Sequence, residues 1–123
     1  MTTTILVVDD DPVTQRVLSV QLRKAGYTAV VARSGEGALQ QLAEIPCDLA
    51  ILDIGLPEMD GLTLLRILRA NAEYKTMPII MLTASGQDDD CTEAQAAGAN
   101  AFLLKPTSSN ELIGTVNRLL GRK

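Results

Sequence analysis

Three consecutive carboxylates, Asp9, Asp10 and Asp11, follow the apolar run Ile5-Leu6-Val7-Val8 and lead into Pro12. A further carboxylate, Asp53, ends the run Leu49–Leu52. Thr83 ends the run Pro78–Leu82, and Lys105 ends the run Ala101–Leu104. Carboxylates that converge repel one another and require a cation or a raised pKa. Oxygen donors without histidine or cysteine favour a hard ion. Mg²⁺ suits a site that uses few carboxylates and leaves room for phosphate oxygens. Lys105 adds a positive charge with phosphate-binding character, and Thr83 adds a hydroxyl donor. A carboxylate nucleophile, a metal, a lysine and a hydroxyl can together accept a phosphoryl group. Taken singly, each residue has a plainer reading. Asp11 before Pro12 fits a helix N-cap, Thr83 a turn and Lys105 an ordinary surface lysine.

These residues act together only if the fold brings them to one edge. The four apolar runs do not alternate with polar residues, as expected for parallel strands buried on both faces. A fifth, weaker run is Tyr27–Ala32. Helical patterns lie between the runs. Pro12 suits a first helical turn, with Val13, Val17 and Val20 on one face to about residue 25. Gly26 stops that helix. Residues 34–44 start at Ser34 as N-cap and stop before Pro46. Leu64, Leu65 and Leu68 stripe a helix over about 61–71, and a short helix spans about 88–97. Leu112, Ile113, Val116, Leu119 and Leu120 stripe the last, about 109–120, with Ser109 or Asn110 near its cap. Strand and helix alternate five times, which predicts an α/β doubly wound domain covering residues 1–123. The spacing between polar strand ends fits one helix plus one strand each time. Strand two then falls outside strand one, for an order 2-1-3-4-5. Asp9, Asp10 and Asp53 meet where that order reverses, at the carboxyl ends of strands one and three.

Composition narrows the function. The chain has 123 residues, 46% of them apolar, so disorder is excluded as the main character. Net charge is −4 and the sequence pI about 4.7, which gives no general attraction for nucleic acid. Cys47 and Cys91 form no metal-binding spacing and read as reduced packing residues of a cytoplasmic protein. No signal peptide or membrane span is expected. The chain contains no histidine.

The motifs LVVDDDP (6–12), LAILDIGLPEMDG (49–61), IIMLTA (79–84) and AFLLKP (101–106) resemble the receiver domain of two-component response regulators. The resemblance spans essentially the whole chain. It implies a flavodoxin-like sheet with five helices and Asp53 as phosphoacceptor. It implies Asp10 as a direct Mg²⁺ ligand, Asp9 as one acting largely through water, and the Gly55 carbonyl as a further ligand. Lys105 would pair with phosphoryl oxygens and be followed by a cis bond to Pro106. Thr83 and Phe102 would be the switch residues, with Ala84 leaving space for Thr83 to move. A sensor histidine kinase or histidine phosphotransfer protein would be the donor, docking on a stripe of Thr14, Leu18 and Gln21 on helix one. The face of helix four, strand five and helix five would speak to an unnamed effector. Two departures stand out. Thr107 occupies a position that is often Phe in DNA-binding branches. Gly55 and Ser85 lack the large polar side chains of members that hydrolyse quickly, which implies a longer-lived phosphoryl group. The main alternative is a small phosphohydrolase of the haloacid dehalogenase type with Asp9 as nucleophile. It lacks the further acidic pair that family needs after its lysine. A flavin carrier lacks a phosphate loop after strand one.

Overall fold

A computed structural model describes residues 3–84 and 88–122. The elements run β1 (Thr4–Val8), α1 (Pro12–Lys24), β2 (Thr28–Ala32), α2 (Gly35–Glu44), β3 (Leu49–Asp53), α3 (Gly61–Ala70), β4 (Ile79–Thr83), α4 (Asp88–Ala96), β5 (Ala101–Leu104) and α5 (Ser109–Leu119). The strands form one parallel sheet in the order β2-β1-β3-β4-β5. Central strands β3 and β4 are buried at every residue, which explains their unbroken apolar sequence.

Strand side chains alternate between two cores. On one face Leu6, Val8, Ala50, Leu52, Ile79 and Met81 pack against α2 and α3, with Ala94 of α4. On the other, Ile5, Val7, Leu49, Ile51, Ile80 and Leu82 pack against α1 and α5 through Leu18, Leu22, Leu112 and Val116. Each fully buried leucine or isoleucine contributes roughly 1.5–3 kcal/mol, so the covered sheet is the rigid platform on which the loops at its C-terminal edge are set.

Two local readings change. Val13, Val17 and Val20 do share a face of α1, but it is the exposed one, with Val13 at 67%. Leu18, Ser19 and Leu22 form the buried side. Helical periodicity marks apolar stripes without saying which one meets the sheet, and the longer leucines fill the space over β1 and β3. The cap of α5 is Ser108, one residue earlier than expected. Its Oγ accepts from the Glu111 N–H at 3.0 Å. The run Thr107-Ser108-Ser109-Asn110 offers several cap formers in a row, and only the one followed three residues later by Glu111 is used.

At the N-terminal edge of the sheet, Arg69 at the end of α3 gathers three segments. Its guanidinium donates to the carbonyls of Tyr74 (2.8 Å), Met77 (2.7 Å) and Gly98 (3.0 Å) and to Asn100 Oδ1 (2.8 Å). Asn100 Oδ1 also accepts from the Ile79 N–H at 2.8 Å. Gly98 ends α4 at φ +104°, and a side chain there would press on Arg69 as well as strain the backbone.

Candidate functional site

The carboxyl ends of β1, β3, β4 and β5 place Asp9, Asp53, Thr83 and Lys105 on the same edge of the sheet. Parallel pairing sets this: Val8 is in register with Leu52, Asp53 with Leu82, and Thr83 with Leu104. Asp9, Asp53 and Thr83 are buried, whereas Asp10 is exposed. One carboxylate oxygen from each of Asp9, Asp10 and Asp53 lies within 4.8 Å of the others. Lys105 Nζ sits 2.6 Å from Asp9 Oδ2 and 3.3 Å from Asp53 Oδ2. The other oxygen of Asp53 accepts the Gly55 N–H at 3.2 Å.

The surrounding loops hold these groups without using them up. Asp9 Oδ1 accepts the Asp11 N–H at 2.9 Å, and the Asp9 N–H donates to the Ala32 carbonyl at 3.1 Å. Asp11 caps α1, accepting from the Val13 N–H at 3.0 Å and the Thr14 hydroxyl at 2.9 Å. Those two bonds, the hydroxyl first, hold its carboxyl below the ordinary aspartate range. Asp11 is therefore a structural cap, and the other two members of the acidic triplet face the site. Gln15 also donates to the Asp9 carbonyl, a support that its sequence position gave no reason to expect.

Asp60 caps α3 by accepting the Thr63 N–H at 2.8 Å, and the Gly61 N–H donates to the Ile54 carbonyl at 3.0 Å. A Cβ on Gly61 would lie 2.2 Å from the Asp53 carbonyl oxygen. Only glycine lets α3 begin this close to the end of β3.

The electrostatics are unbalanced by design of the edge. Burial is the main cause that raises the Asp53 pKa above the usual carboxylate value, and the charge of Asp9 adds to it. The Gly55 N–H and Lys105 oppose that rise. Burial works against the charge of Lys105, but Asp9 and Asp53 outweigh it and hold the ammonium above the ordinary lysine range. One lysine thus faces three carboxylates. The donor set is all oxygen, with no histidine in the chain and both cysteines elsewhere, and this set fits a hard divalent cation.

Phe102 is half-buried and packs against the core shared by α2, α3 and α4. The Lys105–Pro106 bond is cis. Ser85 lies outside the described residues. The stripe expected for docking on α1 changes: Leu18 is buried, and Val13, Val17 and Val20 are the residues presented outward. Thr14 and Leu18 instead form the inner wall of an apolar cleft of about 420 Å³ that reaches Lys105, Pro106 and Thr107. Arg33 immediately follows β2 and belongs to none of the motifs picked out from the sequence. It lines a second cleft, of about 530 Å³, together with Asp10, Ser34, Pro57 and Glu58.

The family model for the response regulator receiver domain matches residues 5–117. The transcriptional regulatory protein KdpE of Mycobacterium tuberculosis is 38% identical over 120 residues, covering 98% of this chain and 52% of that protein. The chemotaxis protein CheY4 of Vibrio cholerae superposes with a TM-score of 0.92 at 31% identity, covering 97% of this chain and 99% of that one. The signal receiver domain of a histidine kinase from Syntrophus aciditrophicus superposes with a TM-score of 0.90 at 34% identity, covering 98% and 91% of the two chains. The chain belongs to the response regulator receiver family and is a signalling phosphoacceptor domain. The dehalogenase-type alternative is set aside by this membership. The chain spans about half the length of the curated relatives it matches. Among the described residues, no helix is long and apolar enough to cross a membrane.

Proposed function

We propose that Asp53 is the residue that accepts the phosphoryl group, from a phosphohistidine on a partner kinase or phosphotransfer protein. The observation that carries this reading is the placement of a buried carboxylate, on a rigid strand end, between a lysine 3.3 Å away and two further carboxylates. An Asp53 carboxylate oxygen attacks phosphorus. The bond from phosphorus to the donor imidazole nitrogen breaks, and its electron pair stays on that nitrogen, which is left as a neutral imidazole or takes a proton. Asp9, Asp10, Asp53 and the Gly55 carbonyl would hold Mg²⁺, which supplies charge neutralisation and alignment for the phosphoryl oxygens. Lys105 stands ready to pair with one of those oxygens, because it already bridges Asp9 and Asp53. The Thr83 hydroxyl donates to another, and its movement with Phe102 shifts a two-state equilibrium at the face of α4, β5 and α5. Hydrolysis of the acyl phosphate on the same site resets the domain.

The donor docks across α1 beside the site. Val13 and Val17 border the apolar cleft that reaches Lys105 and Pro106, so a partner seated there lies next to the lysine that pairs with Asp53 at 3.3 Å. The receiver itself, with a net charge of −4, has no direct contact with nucleic acid in this scheme. Its effector lies in another domain or protein. Receiver domains act in the cytoplasm in this reading.

Label transfer from a phosphohistidine donor tests the assignment. Labelling is expected to vanish in Asp53→Asn, and to fail in the unmodified protein under EDTA and in Asp10→Ala. Persistent labelling of Asp53→Asn would overturn the choice of acceptor.

A further inference from the structure

The two acidic loops and Lys105 leave a charge deficit that Arg33 is placed to fill. With a divalent cation bound, the three carboxylates are balanced by that cation and Lys105. A phosphoryl group brings about two negative charges at neutral pH. Forming the acyl phosphate removes the charge of the Asp53 carboxylate, so the phosphorylated site is left about one charge negative. Arg33 follows Ala32, whose carbonyl accepts the Asp9 N–H, so its backbone runs alongside the start of the acidic triplet. Arg33 lines a cleft with Asp10, Ser34, Pro57 and Glu58, where it is the one cation against two carboxylates, Asp10 of the site and Glu58 at its rim. None of the ion pairs among the described residues ties it to a carboxylate.

We propose that Arg33 is a positioning residue for phosphoryl transfer, supplying across the Asp10 cleft the positive charge that the loaded site lacks. The proposal rests on the reading of Asp53 as acceptor. Arg33 touches neither reacting atom in this scheme and works through its field. That field has a signed consequence. A cation beside Asp10 repels Mg²⁺ in the unphosphorylated protein. The same cation attracts an anionic donor and stabilises the dianionic product. The two effects pull in opposite directions, which an ordinary structural role would not produce.

The experiment uses the full chain with Mg²⁺ and acetyl phosphate as probes. In that step an Asp53 oxygen bonds to phosphorus, the bond from phosphorus to the acetyl oxygen breaks, and acetate leaves with the electron pair. Mg²⁺ affinity is measured by calorimetry without the donor, and phosphorylation is followed by intact mass at saturating Mg²⁺. Arg33→Gln is expected to bind Mg²⁺ roughly threefold to fivefold more tightly and to be phosphorylated more slowly by a similar factor. Arg33→Glu should exaggerate both changes, Arg33→Lys should retain most of the wild-type behaviour, and high salt should shrink the differences. Arg33 is exposed at the end of a strand, so these variants keep the fold, and circular dichroism verifies it. If Arg33→Gln leaves either quantity unchanged, or moves both in the same sense, the proposal is wrong. Asp53→Asn in the same assay separates the two claims: continued modification there defeats the acceptor assignment, whereas a silent Arg33 with a dead Asp53→Asn defeats only this inference.

Discussion

Gly55 stands two residues after Asp53, the proposed phosphoacceptor, and contributes no side chain to the space above it. A Cβ built on Gly55 meets a single neighbour, Asp53 Oδ1, at 3.9 Å, which is ordinary van der Waals contact. The residue is exposed and its backbone is not in the left-handed region, so an asparagine fits without strain. Its carboxamide would extend beside the Asp53 carboxylate, within reach of a water approaching the phosphorus in line. One neutral hydrogen bond to such a water is worth about 1 kcal/mol, which corresponds to roughly a fivefold change in rate. Gly55→Asn is therefore expected to release phosphate severalfold faster than the unmodified chain. The assay loads Asp53 with acetyl phosphate, removes the donor by rapid desalting, and follows phosphate release with Mg²⁺ present. Greater access of bulk water to the glycine site would act in the opposite sense. An unchanged or slower release in Gly55→Asn would show that alignment of the attacking water at this position does not set the lifetime.

Gly61→Ala should destabilise the domain by about 1–3 kcal/mol or more, because the new methyl meets backbone atoms of Asp53 and Ile54 that cannot rotate away; chemical denaturation reads the loss, and a stability change within 0.5 kcal/mol would contradict the close approach of α3 to β3. Asp53→Asn should raise the melting temperature at pH 7 in the absence of divalent ions. The folded-state pKa of Asp53 is raised, so its ionised form costs stability above that pKa. The cost fades as pH falls through the folded value, and is gone below the unfolded value near 3.8. The advantage of the asparagine should therefore disappear in acid, and a melting temperature lower than wild type at pH 7 would refute the argument.

The sheet order and the convergence of Asp9, Asp10, Asp53, Thr83 and Lys105 were legible in the sequence for a physical reason. Strands buried on both faces advertise themselves as continuous apolar runs, and polar residues at their ends must then share an edge. What the sequence concealed depends on distance in the fold. Nothing in Val13-Thr14-Gln15-Arg16-Val17-Leu18 says that the leucine turns in and the valines out, since that choice is made by the space above β1 and β3. From the sequence Gly61 is only the first residue of a helix, and its necessity appears only when the Asp53 carbonyl is seen 2.2 Å from where a Cβ would stand. Arg33 follows β2, whose end carries none of the motif residues, and its proposed role depends on a cleft walled by three different loops.

The four bonds of Arg69 bear on how a signal would leave the edge that carries Asp53. They fasten the turn that follows α4 to the end of α3 and to the start of β4, at the edge of the sheet away from Asp53. A rod clamped at one end cannot slide; it can only swing. Displacement that begins near Thr83 would therefore reach α4 as a tilt about the Gly98–Asn100 turn, small at the clamp and growing with distance along the helix. The surface presented by α4 would change its angle while its attachment to β5 stayed fixed, so a reader of that surface would sense orientation more than position.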